Sequence, residues 1–438
     1  METGRSEAIR SERSRRARPG AAGRRRWLGT LGWLGLVAAG CNQIEALPGD
    51  PDRNVPEARL IERAESGEVE AQLALGRFHA EAFAEADDPS RAGREQAEAL
   101  RWLTLAAEQG EVEAQAELGL LLVAQESELR NVQEARRWLT RAGQAGEPRA
   151  FFMLGELARS GEGEPPDPVM AVAWWRRAAD LGHTGALHRL GQAYEAGLGV
   201  EHDLEAALEL YRRASEAGHA ISQYRLAVIH DEGRLRPRDI ATAVKEYRLA
   251  AEQGYAPAQA QLGYLYARGD GVIQHYDEAL KWSRKAAEQG DADGCNNLAV
   301  LYLKGLGVEQ SFEEALRWYR LAAQRQHPGA QNMLGTIHLT GQGVEVDPEE
   351  AEHWWRMAAE QGHAPAQYNL GGMFSRKLSA TLTRAEALDW LARAAEQGHR
   401  SAARELAALR AVAADETGEG RPSADASAGA AETQRATL

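Results

Sequence analysis

The chain is 438 residues long, room for three ordinary domains or for one elongated array. Apolar residues at 44% and charged residues at 26% exclude wholesale disorder, and the excess of Ala, Leu, Glu and Arg over β-branched residues argues against an all-β fold. The net charge is −14; residues 1–26 hold nine Arg against three Glu and residues 27–40 none of either sign, so the remainder carries −20, which disfavours nucleic acid as a partner, and two cysteines exclude a disulfide-rich scaffold.

The N-terminal segment reads as an address. Arg24-Arg25-Arg26 precedes an uncharged stretch from Trp27 to Gly40, too short for a comfortable membrane span and suited to the apolar region of a signal peptide. Leu36-Val37-Ala38-Ala39-Gly40-Cys41 resembles a bacterial lipobox, which implies cleavage and lipidation at Cys41. Arg24 to Leu28 is similar to a twin-arginine export motif, and a basic leader for the general secretory route is the alternative. Asn42, where an Asp would suggest inner-membrane retention, leans the reading towards the outer membrane. Residues 41–54 then read as a tether.

From residue 55 a period takes over. A turn glycine stands at Gly67, Gly110, Gly146, Gly182, Gly218, Gly254, Gly290, Gly362 and Gly398, with Gln326 in the one missing place; after a first interval of 43 every step is 36. Eight residues after each turn comes a leucine, such as Leu118, Leu262 or Leu370, and four after it a small residue, such as Ala114 or Gly294. That spacing marks one face of a helix, here called helix A. Alanines eleven and four residues before each turn from Gly110 on, with a Trp or Tyr between them, mark a second amphipathic helix, B. Asn131, Asp167, Asp203, Asp239, Ser311, Asp347 and Thr383 share one register as N-caps of helix B, with His275 the exception, and three of these sites have capping-box spacing to Glu314, Glu350 and Glu386. Linkers such as Gly269-Asp270-Gly271-Val272 carry the chain from A to B.

Ala258 to Val272 and Ala279 to Gly290 resemble Sel1-like repeats, relatives of the tetratricopeptide repeat. The resemblance covers about residues 55–413, with roughly nine full helix pairs and a terminal helix at each end, at about 55–66 and 399–413. It implies an all-α, right-handed superhelical solenoid of antiparallel helix pairs, each burying its apolar face only against the next. The domains expected are a signal peptide at 1–40, the tether at 41–54, the solenoid at 55–414 and a disordered tail at 415–438.

Other motifs have plain readings. The Gly-rich linkers recur once per repeat after a helix, so they are connections and not phosphate loops. Arg268-Gly269-Asp270 falls in the same linker. The tryptophans after the leader follow the helix B register and read as core; only the second member of each pair, Trp175 and Trp355, is left open to another role. His183, His219, His327, His363 and His399 lie just after the turns, a whole repeat apart, too far to share one metal ion. Cys295 reads as a half-buried structural thiol. No cofactor, metal or nucleic acid is expected.

A solenoid with no catalytic motif points to a non-enzymatic adaptor of the cell envelope, lipid-anchored at the periplasmic face of the outer membrane and binding protein segments. Resembling Sel1-like lipoproteins support the assembly of envelope and export complexes. The rivals are a regulator that sequesters a sensor protein at the inner membrane and a β-lactam-binding or β-lactamase-like enzyme; cysteine-rich relatives of the latter kind carry a disulfide in each repeat, whereas this solenoid has Cys295 alone. The expected partner-binding row is the sixth and seventh places after each turn, on helix A, where the framework repeats and the residues vary. Tyr224, Asn296, Asn297 and Tyr368 lead it, with His188, Arg189 and Arg225 secondary.

Overall fold

The computed structural model describes residues 57–124, 130–235 and 237–417. The leader, Cys41, the tether and the chain beyond 417 lie outside the described residues. Twenty helices and no strand occupy the described residues.

Helix α1 (Glu57–Glu65) precedes the first turn glycine. Pairs of helices A and B follow: α2 (Val69–Ala84) with α3 (Pro89–Glu108), α4 (Val112–Val123) with α5 (Val132–Gln144), α6 (Pro148–Ser160) with α7 (Pro168–Asp180), and α8 (Thr184–Ala196) with α9 (Leu204–Glu216). Next come α10 (Ala220–Glu232) with α11 (Ile240–Glu252), α12 (Ala256–Arg268) with α13 (Tyr276–Glu288), and α14 (Ala292–Lys304) with α15 (Phe312–Gln324). The last pairs are α16 (Pro328–Thr340) with α17 (Pro348–Glu360) and α18 (Ala364–Ser375) with α19 (Arg384–Glu396), before α20 (Arg400–Thr417). Even-numbered helices are therefore A and odd-numbered helices B. The chain forms two compact units, the first to Ser222 and the second from Gln223.

In each unit a helix packs on its neighbours in sequence, and the short connections make successive helices antiparallel, which is an all-α solenoid. Helix A of one repeat also touches helix A of the next: α2 meets α4 and α4 meets α6 in the first unit, and α12 meets α14 in the second. The predicted leucines and alanines are in the core. Leu118, Leu262, Leu298, Leu334 and Leu370 are buried, as are the alanines before the turns, from Ala99 and Ala106 to Ala387 and Ala394.

The turns explain the period. At Gly254 φ is +91°, a left-handed conformation in which the Gly254 and Tyr255 amides reach back to the carbonyls of Ala251 and Ala250 and close helix α11. Gln326 adopts the same left-handed conformation at φ 63° without being glycine, so the fold and not the residue dictates the turn.

Two expectations about side chains are corrected. Of the three sites with capping-box spacing, only Thr383 and Glu386 form the reciprocal pair. Glu314 and Glu350 instead accept from the indole N–H of Trp318 and Trp354, at 3.1 and 2.9 Å, one turn further along helix B. The second tryptophan of each pair is the core one. Trp175 and Trp355 are 4% and 2% exposed, and each ring lies where a Cβ on Gly155 or Gly335 would overlap it, so a helical glycine makes room for it. Trp174 and Trp354 are the half-buried members. No described helix is long and apolar enough to cross a membrane.

Candidate functional site

Helix A places its leucine in the core, so the sixth, seventh and tenth residues after each turn lie on the adjoining face. Because successive helices A touch, these residues form a row that passes from repeat to repeat within each unit. Many are half-buried, and the row itself stitches the repeats together.

The predicted residues differ in what the fold leaves them to do. Tyr224 is half-buried, its ring 5.3 Å edge-on from Tyr255 and 5.7 Å from Tyr247. Burial is the main cause that raises its hydroxyl pKa, and it raises that of Tyr255 likewise, so both stay protonated donors. Arg225, half-buried beside them, acts electrostatically on both hydroxyls. Tyr368 stacks on His399 at 4.6 Å, and Arg376 donates to its hydroxyl at 3.4 Å. Asn297 donates to the carbonyl of Ala260 at 3.0 Å, across to the previous helix A. Asn296 is half-buried and its side chain makes no hydrogen bond within the protein. Arg189 pairs with the buried Glu156 at 3.0 Å and donates to Gln192. His188 is buried at 5% exposure, hydrogen-bonded to Ser222 at 3.0 Å and packed on Tyr211 and His219. It is a packing residue of the first unit and not part of an open surface.

The sixth place is thus partly claimed by the next turn. Its side chain leans on the residue just before the following helix A, as Phe152 on His183, His188 on His219, Tyr224 on Tyr255 and Tyr368 on His399. Those partners are N-caps. The Nδ1 of His183, His327, His363 and His399 each accepts the backbone N–H three residues on, at 2.9–3.3 Å, and His219 does the same for Ser222. An accepting Nδ1 must be unprotonated, and burial, the largest cause, lowers the pKa of His183 and His219 to about 4 and holds that of His363 below its ordinary value. The recurring histidines therefore terminate helices. No group of three or more metal-ligating side chains stands together among the described residues.

A second device was missed in the sequence. The fifth residue after the turn is a buried glutamine at Gln72, Gln115, Gln223, Gln259, Gln331 and Gln367. Gln259 donates to the Ala251 carbonyl at the end of the preceding helix B, at 2.9 Å, and accepts from Gln289 at the end of its own helix B, at 2.7 Å. Gln331 and Gln361, and Gln367 and Gln397, repeat the arrangement. The signal was present as two further columns of glutamine at the same period. At Cys295 the thiol takes this place, fully buried, with Ala287 O at 3.8 Å.

The Sel1 repeat model matches nine consecutive stretches: 69–111, 112–147, 148–183, 184–219, 220–255, 256–291, 292–327, 328–363 and 364–399. Among solved structures, a protective antigen of uropathogenic Escherichia coli with an SLR fold is similar at 32% identity and a TM-score of 0.65, over 81% of this chain and 74% of that one. A Sel1 repeat protein from Oxalobacter formigenes is similar at 29% identity and a TM-score of 0.52, over 56% of this chain and 96% of that one. No curated protein matches.

Proposed function

From the premise that the chain belongs to the Sel1 repeat family, whose members generally mediate protein–protein interaction, we propose that it is a non-enzymatic scaffold of the cell envelope, held to the membrane by a lipid on Cys41 and gripping protein segments along the helix A row. The row carries this reading. Its side chains bridge successive helices A, as Arg189 to Glu156, Asn297 to Ala260 and Asn369 to Asn332, many of them are half-buried, and Asn296 has donors and an acceptor that the fold does not use. Side chains already half desolvated lose little freedom when a ligand covers them, which suits recognition of an extended segment. The charge of −20 beyond the leader, with Arg-rich residues before Trp27, supports export followed by loss of the basic segment. The similar Escherichia coli protein is a protective antigen, in keeping with an envelope location.

A photo-crosslinking residue at position 296, in cells, tests the site: one defined envelope protein is expected, and crosslinks that arise equally from exposed Lys245 on helix B would overturn it. Cys41→Ala tests the anchor. The variant is expected to leave the membrane fraction or to retain its leader, and an unchanged mass and fractionation would remove the lipid from the proposal.

A further inference from the structure

The row changes its chemistry along the chain. In the first unit each helix A puts one charged residue at the sixth, seventh or tenth place: Arg77, Glu117, Glu156 and Arg189. These charges are spent between repeats. Arg77 lies 3.6 Å from Glu117, Glu117 also holds Arg149 at 2.8 Å, and Glu156 holds Arg189 at 3.0 Å. In the second unit α10 still carries Arg225 at the seventh place, but from α12 to α18 the same twelve places hold no charged residue, in a protein that is 26% charged. Repeats there are joined by amides instead: Asn297 donates to Ala260 O and Asn369 to the Asn332 side chain, both at 3.0 Å.

We infer that the helix A row of residues 256–375 is the segment that takes the partner, and that it takes an extended stretch of polypeptide without charged side chains, reading its backbone. The inference rests on the scaffold reading above and narrows it. The cations that adjoin the row are engaged by its own tyrosines, Arg268 donating to the Tyr264 hydroxyl at 2.6 Å and Arg376 to that of Tyr368 at 3.4 Å, so a charge brought onto the half-buried row would lose hydration with no row residue of opposite charge to pair it, and the row selects against charged segments. Amide side chains supply both a donor and an acceptor, the complement of a peptide group, and Asn296 has its full set free. Tyr264, at the tenth place of α12 and 39% exposed, adds an aromatic ring to the row, with the Arg268 guanidinium over one face at 5.3 Å. The ion-paired row of the first unit would have to break inter-repeat pairs to bind and gains nothing by doing so. With helices packed about 10 Å apart, four helices A span about 30 Å, the reach of about nine extended residues.

Panning random peptides of about twelve residues against the purified protein tests this directly. Enriched peptides are expected to lack Asp, Glu, Lys and Arg over a run of about nine positions, with affinities that change less than about twofold between about 50 and 500 mM salt. Asn296→Asp, which introduces a charge where no intramolecular bond is lost, should weaken them about tenfold or more, as should Tyr264→Ala, while Arg77→Gln leaves them within about twofold. Charged, salt-sensitive peptides, or equal losses from Arg77→Gln, would overturn the inference and leave the scaffold reading in place. Peptides insensitive to every variant on the row, or no enrichment at all, would overturn both.

Discussion

Tyr211 in α9 and Tyr319 in α15 occupy the same place in their repeats, and both are fully buried. Tyr211 donates to Glu195 at 2.8 Å; the hydroxyl of Tyr319 has no partner, because Leu303 stands where Glu195 stands in the earlier repeat. Tyr211→Phe should therefore cost about 1–3 kcal/mol in urea unfolding, whereas Tyr319→Phe should be neutral or stabilising by up to about 1 kcal/mol. Equal losses from the two would mean that ring packing and not the hydroxyl is measured. The histidine caps make a second residue-scale prediction. His183 and His219 titrate at about 4 in the folded chain against an ordinary 6.5, so the unfolded chain binds protons first on acidification. Their contribution to stability is complete above pH 6.5 and is lost as the pH falls through about 4. Thermal midpoints should fall across that window, and His183→Asn, which keeps a capping oxygen that does not titrate, should flatten the fall. A midpoint as steeply dependent on pH in His183→Asn would assign the effect to other groups.

Between elements, the buried glutamines link three helices through one side chain. Gln259→Leu takes one of two donors from the Ala251 carbonyl, which keeps the Gly254 amide, and removes the side-chain acceptor of Gln289, so a loss of about 1 kcal/mol is expected. The first unit shows an alternative solution: Phe151 and Leu187 fill the glutamine place where Leu181 and Ala217 replace the second glutamine. Accordingly Gln289→Leu should cost less in the Gln259→Leu background than in the native chain, and a double-mutant cycle should return a coupling of about 1 kcal/mol; strict additivity would dissolve the proposed link. Helices A and B were legible from sequence because their faces repeat within one helix and each turn needs a left-handed residue. The fate of the row was not. Whether Asn296 stays free while His188 is buried depends on residues about a repeat away, Ser222 and His219 for the latter, and no local pattern carries that information.

At the scale of the molecule, the main contacts of each repeat among the described residues are with its neighbours in sequence, so stability is a sum of repeat and joint terms and need not be lost at one temperature. The row follows the same logic: its positions are predictable from the period, but its chemistry changes along the chain, from ion pairs such as Glu156 with Arg189 to amides such as Asn369 with Asn332.

The joints are also interchangeable, which bears on how such a chain can arise and change. Removing residues 328–363 would bring Gln367 to the Ala323 carbonyl that Gln331 now holds, and put His327 in front of Ala364 as the cap that His363 now supplies. The glutamine bond and the histidine cap at the cut thus have counterparts across it; the bonds from Ser379 and Thr381 to Glu352 do not, since Leu316 takes that place. Unequal crossing-over between copies of the repeat would then yield shorter or longer proteins that fold at once, and selection could act on the length of the row without passing through misfolded intermediates. The excised chain is expected to be monodisperse with a circular dichroism spectrum lowered by two helices of the twenty; an aggregated or unfolded product would show that the repeats are not equivalent at their seams.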